Sequence, residues 1–502
     1  MPTDRFLKGG LELLNERETW DPLGKPISLQ SWFVPDGKLT LIAEVLNDYL
    51  TKTSTRNGKV QPRYRSLVDS IERISQAAAE QLWTETNEAF PVGQVLWFEV
   101  WLRAGTRDGE RREILDQFRA LATRVGLRVG SGRIDLPEHT IVAVQGSSSA
   151  FASDLVLLNC IAEIRMGREY ADFFTDLPIP DQVRFADDLR QRTLPPPANA
   201  PYISVLDTGI SRGHPLLEPL LPESDNLTIK AEWSAADDDD HGTGMAGLAA
   251  YGDLGLVLSG SGPVNVPARL EGVKIVPPPH LRGNDEKLAG FYTAQGVAVA
   301  EAKSPNRSRV WCLATTMKSV NDATPSSWSA ELDALACGRD NDGALRRLFC
   351  LSAGNLPQEV WTKYPDSNLR HAVENPGQSW NALCVGALTN FNLIRPEHAE
   401  YTPIAPSGAL APSSSTSHTW ENSWPNKPDV VFEGGNAGLD AGRQSSLALD
   451  ELLMLWPSAD FRRGSLGTAC GTSPATALAA RMAAQILAEY PSLWPETVRA
   501  LM

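Results

Sequence analysis

The sequence predicts an α/β protein whose larger part carries a doubly wound, mostly parallel sheet, and three observations lead to this fold class. Apolar runs such as YISVLD, VKIV, RVWCLAT and LFCLSAGN alternate with helical stretches after residue 200, as in a parallel sheet covered by helices. The consecutive prolines at 195–197 precede this alternation and indicate a stiff linker. Between Val95 and Arg165 the elements follow in the order β-α-β-β-α-β, which is typical of a separate, ferredoxin-like unit.

The chain therefore divides into four predicted parts, which are a mixed, partly helical extension (1–90), the βαββαβ unit (91–170), a linker (171–200) and the α/β domain (201–502). Within the extension, helical spacing predicts one helix that includes Leu67, Ile71, Ile74, Ala78 and Leu82. The last predicted helix, from Pro495, reaches Met502 without a Gly, Asn or Pro terminator. We therefore expect the native chain to continue past Met502, so that the α/β domain is truncated at its C-terminus.

The composition excludes several classes of protein. The 502 residues carry a formal net charge of −15, so the chain is a poor candidate for binding nucleic acid or an anionic membrane surface. The N-terminus lacks the apolar core of a signal peptide, and no window is apolar enough for a membrane span. The six cysteines include no CxxC pair, and the seven histidines lack metal-ligand spacing. We expect a cytoplasmic protein with free thiols, no metal and no cofactor.

Four polar residues stand at the ends of predicted elements, and each alone has an ordinary structural explanation. Asp207 ends the strand YISVLD and could cap the next loop, and Asn355 ends LFCLSAGN, where Asn is a common turn former. His241 opens a helical stretch, and Ser473 in GTSPAT could be a helix N-cap. The acidic run 237–240 before His241 is more typical of a solvated loop than of a cation site.

Together, the four residues form a set that can carry acyl transfer. A serine nucleophile needs a base to take its proton, and the base needs a carboxylate to fix its tautomer. Asp207, His241 and Ser473 supply these groups, while the Asn355 amide and a backbone N–H at the serine helix can stabilise an oxyanion. Small residues before Ser473 leave room for a substrate carbonyl. Pro474 suits the first helical turn, because its missing N–H costs nothing there.

The same stretches resemble the subtilisin-like serine peptidases, the subtilases. VLDTGI, HGTGMAG, SAGN and GTSPAT match the motifs of that family, and their chain order Asp, His, Ser is the subtilisin order. NKPDVVFEGGN at 426–436 looks like the segment before the serine motif. The resemblance covers about residues 198–502. It implies a subtilisin-like fold and serine endopeptidase activity on protein or peptide substrates.

The resemblance also implies a role for each motif residue. Asp207 would orient and stabilise His241, which would act as general base and then as general acid. Ser473 would be the nucleophile, and Asn355 the side-chain donor to the oxyanion. Gly244 stands where many relatives carry a second histidine, and we expect no loss of chemistry from this difference.

A substrate-binding edge is implied as well. CLATTM stands where the family has a Ser-Leu-Gly edge strand, so the resemblance does not define the shape of the specificity pocket. Backbone pairing with a peptide can survive this change, since β-augmentation uses main-chain groups. We expect six residues to contact substrate, namely Leu313, Ala314, Thr315, Ser352, Ala353 and Gly354.

The βαββαβ unit resembles subtilase pro-domains, which assist folding and inhibit the active site; an unrelated accessory domain is the alternative. In the pro-domain arrangement, an extended segment at 165–174 would lie within or beside the catalytic cleft. Some bacterial cytoplasmic subtilases with long N-terminal extensions are encoded beside AAA-type ATPases in suspected antiphage pairs, which suggests such an ATPase as a partner. Two other functions remain open, a binding scaffold on a retired peptidase fold and an esterase that uses the same triad.

Overall fold

The computed structural model describes residues 4–502 apart from 21–25, 57–58, 72, 85–89, 92–94, 106, 108, 131–132, 168–170, 261, 283–287, 319–322, 344, 461 and 463. The chain forms two compact units, Met1–Arg168 and Glu169–Met502, which we call the N-terminal unit and the C-terminal unit.

The N-terminal unit is a mixture of short helices and antiparallel strands. Its strands are β1 (Glu12–Trp20), β2 (Pro26–Phe33), β3 (Thr53–Arg56), β4 (Lys59–Pro62), β5 (Val95–Arg103), β6 (Arg128–Val129), β7 (Ile134–Asp135), β8 (His139–Ser147) and β9 (Ile161–Met166). Its helices are α1 (Asp4–Lys8), α2 (Leu39–Thr51), α3 (Arg65–Val68), α4 (Ala79–Leu82), α5 (Glu110–Arg124), α6 (Ser148–Ala152) and α7 (Leu155–Leu158).

The second half of this unit forms one antiparallel sheet. Its strand order is β6-β8-β5-β9, with β7 also paired to β8. Buried and partly exposed residues alternate along β5, so that Phe98, Val100 and Leu102 face a core that includes Phe118 of α5. The strands β1–β2 and β3–β4 pair as two further hairpins, which the sequence pattern did not predict.

The single helix predicted from Leu67 to Leu82 is wrong. The helix α3 ends at Val68 and α4 begins at Ala79. The apolar residues serve two separate cores, because Leu67 packs with Val45 whereas Leu82 packs with the sheet core around β5. The helical spacing of the apolar residues between Leu67 and Leu82 therefore does not indicate one face of a single helix.

The C-terminal unit contains the α/β domain. Its strands are β10 (Thr193–Leu194), β11 (Tyr202–Asp207), β12 (Asn226–Thr228), β13 (Val264–Asn265), β14 (Arg269–Lys274), β15 (Arg309–Leu313), β16 (Leu348–Ser352), β17 (Leu383–Thr389), β18 (Tyr401–Pro403), β19 (Ala409–Leu410), β20 (Val430–Glu433), β21 (Gly438–Asp440), β22 (Ser446–Leu447), β23 (Met454–Pro457) and β24 (Leu466–Ala469). Its helices are α8 (Ala171–Thr175), α9 (Ile179–Arg192), α10 (His241–Tyr251), α11 (Leu254–Ser259), α12 (Ala289–Lys303), α13 (Ser327–Ala336), α14 (Asp366–Arg370), α15 (Thr472–Glu489) and α16 (Pro495–Leu501).

The main sheet confirms the predicted doubly wound architecture. Its order is β12-β14-β11-β15-β16-β17-β19, β20 also pairs with β17, and only the β17–β19 pair is antiparallel. Successive residues of β15 face opposite cores: Val310 and Cys312 pack with residues of α10 and α15, whereas Trp311 and Leu313 pack with residues of α12 and α13. Helices therefore cover both faces, and the carboxyl ends of the strands meet at one edge.

The linker predicted over 171–200 is wrong for most of its length. Residues 171–192 are largely helical as α8 and α9, and Phe174 and Leu189 are fully buried in the core of the C-terminal unit. Gln182 is also buried, where its amide oxygen accepts the backbone N–H groups of Ser465 and Leu466. This polar residue on the inner face hides the helical pattern in the sequence.

The extended conformation predicted for 165–174 is likewise wrong for its second half. Residues 171–174 belong to the helix α8, which packs against β24 and contacts Asp450 through Thr175. Residues 168–170 lie outside the described residues. A place for this segment in the catalytic cleft stays a prediction.

Candidate active site

The candidate carboxylate, Asp207, is the last residue of β11 and is buried. One of its oxygens lies 2.8 Å from Nδ1 of His241 and accepts the Thr208 backbone N–H at 2.8 Å. The other oxygen is buried and accepts no hydrogen bond from the described part of the chain. A carboxylate in this position favours the tautomer of His241 with its proton on Nδ1, so that Nε2 can accept a proton.

His241 is the first residue of α10, and local capping explains this position. Asp237 accepts hydrogen bonds from the backbone N–H and the hydroxyl of Thr243, both at 2.7 Å, and so satisfies an unpaired donor of the helix start. Burial lowers the pKa of the His241 imidazole, but the charge and hydrogen bond of Asp207, with the charges of Asp237 and Asp239, outweigh burial and raise that pKa above its ordinary value. The imidazole is therefore a neutral base only above this raised pKa.

In the acidic run 237–240, Asp238 and Asp239 are exposed, as expected of a solvated loop, but the run is also held by specific contacts. Each carboxylate contacts a specific partner, and the pairs are Asp237–Thr243, Asp238–Lys274, Asp239–Arg282 and Asp240–Ser458. The Lys274 ammonium is fully buried, and its ion pair with Asp238 is 2.8 Å long. The run therefore fixes the loop that begins α10 and surrounds the candidate base with negative charge.

The Trp456 indole packs against the start of the same helix. Its ring meets the His241 imidazole edge to face, with centroids 6.2 Å apart and planes at 88°. A Cβ atom on Gly244 would lie 2.2 Å from the indole. The absence of a side chain at position 244 thus makes room for Trp456, which gives a physical reason for this departure from the family pattern.

The candidate nucleophile, Ser473, lies in the first turn of α15 and is only 8% exposed. Its hydroxyl donates a hydrogen bond to the Ala314 carbonyl at 3.1 Å. Across the described residues, no hydrogen bond joins Ser473 to His241. The helix start directs backbone N–H groups and the positive end of the helix dipole toward this serine.

Asn355 is tied to the start of the same helix. Its Oδ1 accepts the backbone N–H of Thr472 at 2.8 Å and the Thr472 hydroxyl at 3.1 Å. Because a backbone N–H can only donate, Oδ1 must face it, and the two hydrogens of Nδ2 stay available to a ligand oxygen. A Cβ atom on Gly471 would lie 2.7 Å from this Oδ1, and the φ of Gly471 is +118°, so this close approach requires glycine.

The six residues predicted to contact substrate lie at the carboxyl ends of the neighbouring strands β15 and β16. The buried side chains among them are those of Leu313, Ala314, Ser352 and Ala353. The Ser352 hydroxyl lies 2.6 Å from that of Thr472, so this side chain supports the serine helix. Ala314 reaches Ser473 through its carbonyl, and Gly354 reaches Thr472 through its N–H at 3.2 Å. The backbone of the two segments, rather than their side chains, therefore borders the candidate nucleophile.

The structure thus brings Asp207 and His241 into contact and places Ser473 beside Asn355 and the Ala314 carbonyl. Sequence reasoning missed the roles of Thr472, Asp237 and Trp456. Thr472 precedes the serine at a helix start, where N–H donors need acceptors, so its position carried a usable signal. The sequence around Trp456 carried no such signal, because the histidine helix that this residue contacts is remote from it in sequence.

Comparison with known families shows which family the chain with these four site residues belongs to. The sequence model of the Subtilase family, peptidase S8, matches residues 198–502, which include all four motif residues. The chain belongs to the subtilase family. Membership places this subtilase among the serine peptidases.

The solved structures that the chain matches include the S41 psychrophilic protease, which is 23% identical over 60% of this chain and 81% of its own, with a TM-score of 0.36. Sphericase is 18% identical over 61% of this chain and 84% of its own, with a TM-score of 0.37. The epidermin leader peptide processing serine protease from Staphylococcus aureus is 14% identical over 82% of this chain and 92% of its own, with a TM-score of 0.38. The comparison with curated proteins finds no match.

Three further observations concern the cysteines, membrane crossing and metal binding. The six cysteines are free thiols, and four of them are buried. In the described ranges, no helix combines the length and the apolar character that a membrane crossing needs. The same ranges contain no group of three or more His, Cys, Asp or Glu side chains that could hold a metal ion.

Proposed function

We propose that this subtilase is a serine endopeptidase in which Ser473 is the nucleophile, His241 the general base and Asp207 the orienting carboxylate. The observation that carries the proposal is the 2.8 Å contact between His241 Nδ1 and Asp207 in a member of a serine peptidase family. A neutral imidazole with its proton held on Nδ1 presents Nε2 as an acceptor for the proton of the serine hydroxyl.

The reaction begins when His241 takes the proton of Ser473 as the serine oxygen attacks the substrate carbonyl. The imidazolium is stabilised by Asp207, and it returns the proton to the leaving amine as the peptide bond breaks. Water then hydrolyses the acyl-enzyme by the same sequence of proton transfers. The serine must turn away from the Ala314 carbonyl, and the hydrogen bonds of free enzymes often tighten only when substrate binds.

The negative charge that develops on the substrate oxygen has two donors within reach. Asn355 offers the hydrogens of Nδ2, and the backbone N–H of Ser473 lies in the first turn of α15. Both donors are held in place before the reaction, because Thr472 binds Asn355 and begins the helix. Donors that need no rearrangement stabilise the oxyanion most effectively. The peptide chain itself would pair with the backbone that follows β15, from Ala314 onward.

A fluorophosphonate probe tests the proposal, because it reacts only with an activated serine. The intact protein should be labelled and should cleave a denatured protein substrate, and Ser473→Ala should do neither while it stays folded. Ser326→Ala is a matched control, since Ser326 also begins a helix but only caps α13, through a hydrogen bond from the Ser329 backbone N–H at 3.0 Å. It should lose some stability and keep its labelling.

Two alternatives have separate outcomes in the same experiment. The hydrogen bond from Ser473 to the Ala314 carbonyl, rather than to His241, is what a retired scaffold would retain, and an unlabelled intact protein would favour that function. Labelling with hydrolysis of esters but not of peptides would favour an esterase. Restraint by the N-terminal unit, a cytoplasmic location and an AAA-type ATPase partner are further parts of the proposal, tested by trans inhibition and by copurification.

A further inference from the structure

One carboxylate close to the proposed nucleophile has no partner of opposite charge. Glu374 is half-buried and accepts a hydrogen bond from the Thr316 hydroxyl at 2.6 Å. Across the described residues, no Lys, Arg or His lies within ion-pair distance of it. Two more deeply buried carboxylates of the unit, Glu271 and Asp225, are by contrast paired with arginines. Because a desolvated carboxylate is costly without a compensating charge, such a group can accept a cation that arrives with a ligand, provided that it borders the path of that ligand.

The position of Glu374 is fixed by the two segments that border Ser473. Its backbone N–H donates to the Ala353 carbonyl at 2.8 Å. A Cβ atom on Gly354 would lie 2.5 Å from the Glu374 Cγ and 2.7 Å from its Oε2, so the carboxylate lies directly against Gly354. Through Thr316 the same carboxylate contacts the segment that follows β15. Glu374 therefore joins the two segments on either side of the candidate cleft.

Substrate geometry relates this position to the cleaved bond. The reacting carbonyl must lie at the Ser473 hydroxyl with its oxygen toward Asn355 Nδ2. The side chain next to that carbonyl belongs to the residue before the cleaved bond. With the reacting carbonyl in that place, this side chain would run between the backbone at Ala314 and that at Gly354, both of which are tied to the start of the serine helix. Because Glu374 contacts both segments, a side chain on this path would come within reach of its carboxylate.

We infer that Glu374 selects substrates with lysine or arginine immediately before the cleaved bond. This inference rests on the proposed peptidase function and adds its substrate class. Lysine and arginine are long enough to carry a charge past the backbone, and both donate hydrogen bonds to a carboxylate. One Glu374 oxygen is held by Thr316, which orients the group and leaves the other oxygen to the substrate cation.

The test compares peptides that differ only at the residue before the cut, with arginine, lysine, leucine or glutamate there. We expect kcat/KM for arginine and lysine to exceed that for leucine by about 10- to 100-fold, the value of a hydrogen bond to a charged group. Glu374→Gln keeps the size of the side chain and can still accept from Thr316, and it should bring the arginine-to-leucine ratio close to one. Glu374→Lys should favour glutamate over arginine.

Glu331→Gln is the matched control, because Glu331 is another half-buried carboxylate without an ion pair in the described residues, and it lies on α13 beside Gly290. It should leave the ratio unchanged. Equal rates for arginine and leucine in the intact protein, or an unchanged ratio in Glu374→Gln, would overturn the inference and leave the peptidase proposal standing.

A binding measurement separates the two proposals further. Benzamidine, a small organic cation, should bind Ser473→Ala and should lose its binding when Glu374→Gln is added, as followed by ligand-observed NMR. If no peptide is cleaved and no probe reacts, but benzamidine binding depends on Glu374, the peptidase proposal fails and the cation site stands. Benzamidine binding that ignores Glu374 contradicts the site.

Discussion

The Nδ1 atom of His241 lies 2.8 Å from a carboxylate oxygen of Asp207, at the point where a buried strand and a helix start meet. The carboxylate raises the pKa of the imidazole against the opposing effect of burial. Since the general base must be neutral, activity should be lost as the pH falls through this raised pKa. The acidic limb of kcat/KM should therefore lie above about 6.5, the ordinary value for histidine.

Asp207→Asn should lower kcat by about 10⁴-fold, because the amide no longer favours the Nδ1-protonated tautomer. The acidic limb should also move to lower pH, since the variant loses the charge and the hydrogen bond that raise the imidazole pKa. Steady-state rates between pH 5 and pH 9 measure both effects. A variant that keeps its rate would remove Asp207 from the mechanism.

Asp239→Asn is the control for the charge effect alone. Asp239 contributes to the raised pKa of His241 but pairs with Arg282 at 2.7 Å and does not touch the imidazole. We expect a small shift of the acidic limb to lower pH with the maximal rate retained. A shift as large as that of Asp207→Asn would show that the acidic run, rather than the direct contact, sets the pKa.

Asn355 should act through its amide hydrogens. Asn355→Ala should lower kcat by about 10²- to 10³-fold with little change in KM, as expected for a donor that binds only the oxyanion. Asn355→Asp keeps the acceptor for Thr472 but removes the donors, so it should keep the helix start and still lose the rate. Near-normal turnover in Asn355→Asp would show that Asn355 only holds Thr472 in place.

The close contact between Gly244 and Trp456 predicts a coupled pair. Gly244→Ala should lower the free energy of unfolding by about 1–3 kcal/mol and displace the indole, because the new Cβ would lie 2.2 Å from the ring. In the Trp456→Ala background, the same alanine should cost little further stability. Chemical unfolding of the four proteins gives the coupling energy. Trp494→Ala, which removes an exposed tryptophan, should give no such rescue.

The sequence predicts the main sheet well, because strands buried on both faces read as continuous apolar runs between helices. The site residues follow from local motifs, since each ends a strand or begins a helix, and such ends meet at one edge of a parallel sheet. The helix α9 was missed because Gln182 stands on its buried face. Its amide binds the backbone of Ser465 and Leu466, a partner that no local pattern reveals.

The parts of the site that the sequence does not predict depend on long-range contacts. Glu374 meets Thr316 across 58 positions, and Trp456 meets Gly244 across a still longer separation. The partners of the acidic run were not predicted for the same reason, because nothing in the sequence distinguishes Lys274 and Arg282 from other charged residues until the fold places them beside it. Pairs of charged residues that are distant in sequence can be identified only from the tertiary structure.

Restraint of the proposed peptidase by the N-terminal unit can be tested by separating the two units after folding. This unit has its own hydrophobic core, which includes Phe98, Phe118 and Phe151, so we expect it to fold when it is produced separately. A recognition sequence for a site-specific protease, inserted between 168 and 169 at the boundary of the two units, allows the chain to be divided after folding. If the unit restrains the active site as a pro-domain does, cleavage and removal of residues 1–168 should increase peptide hydrolysis.

Adding the separate N-terminal unit back should inhibit this hydrolysis in a concentration-dependent manner. The uninserted protein treated with the same protease controls for nicking elsewhere. Hydrolysis that neither rises on removal nor falls on addition would contradict the pro-domain role and favour recruitment of a partner.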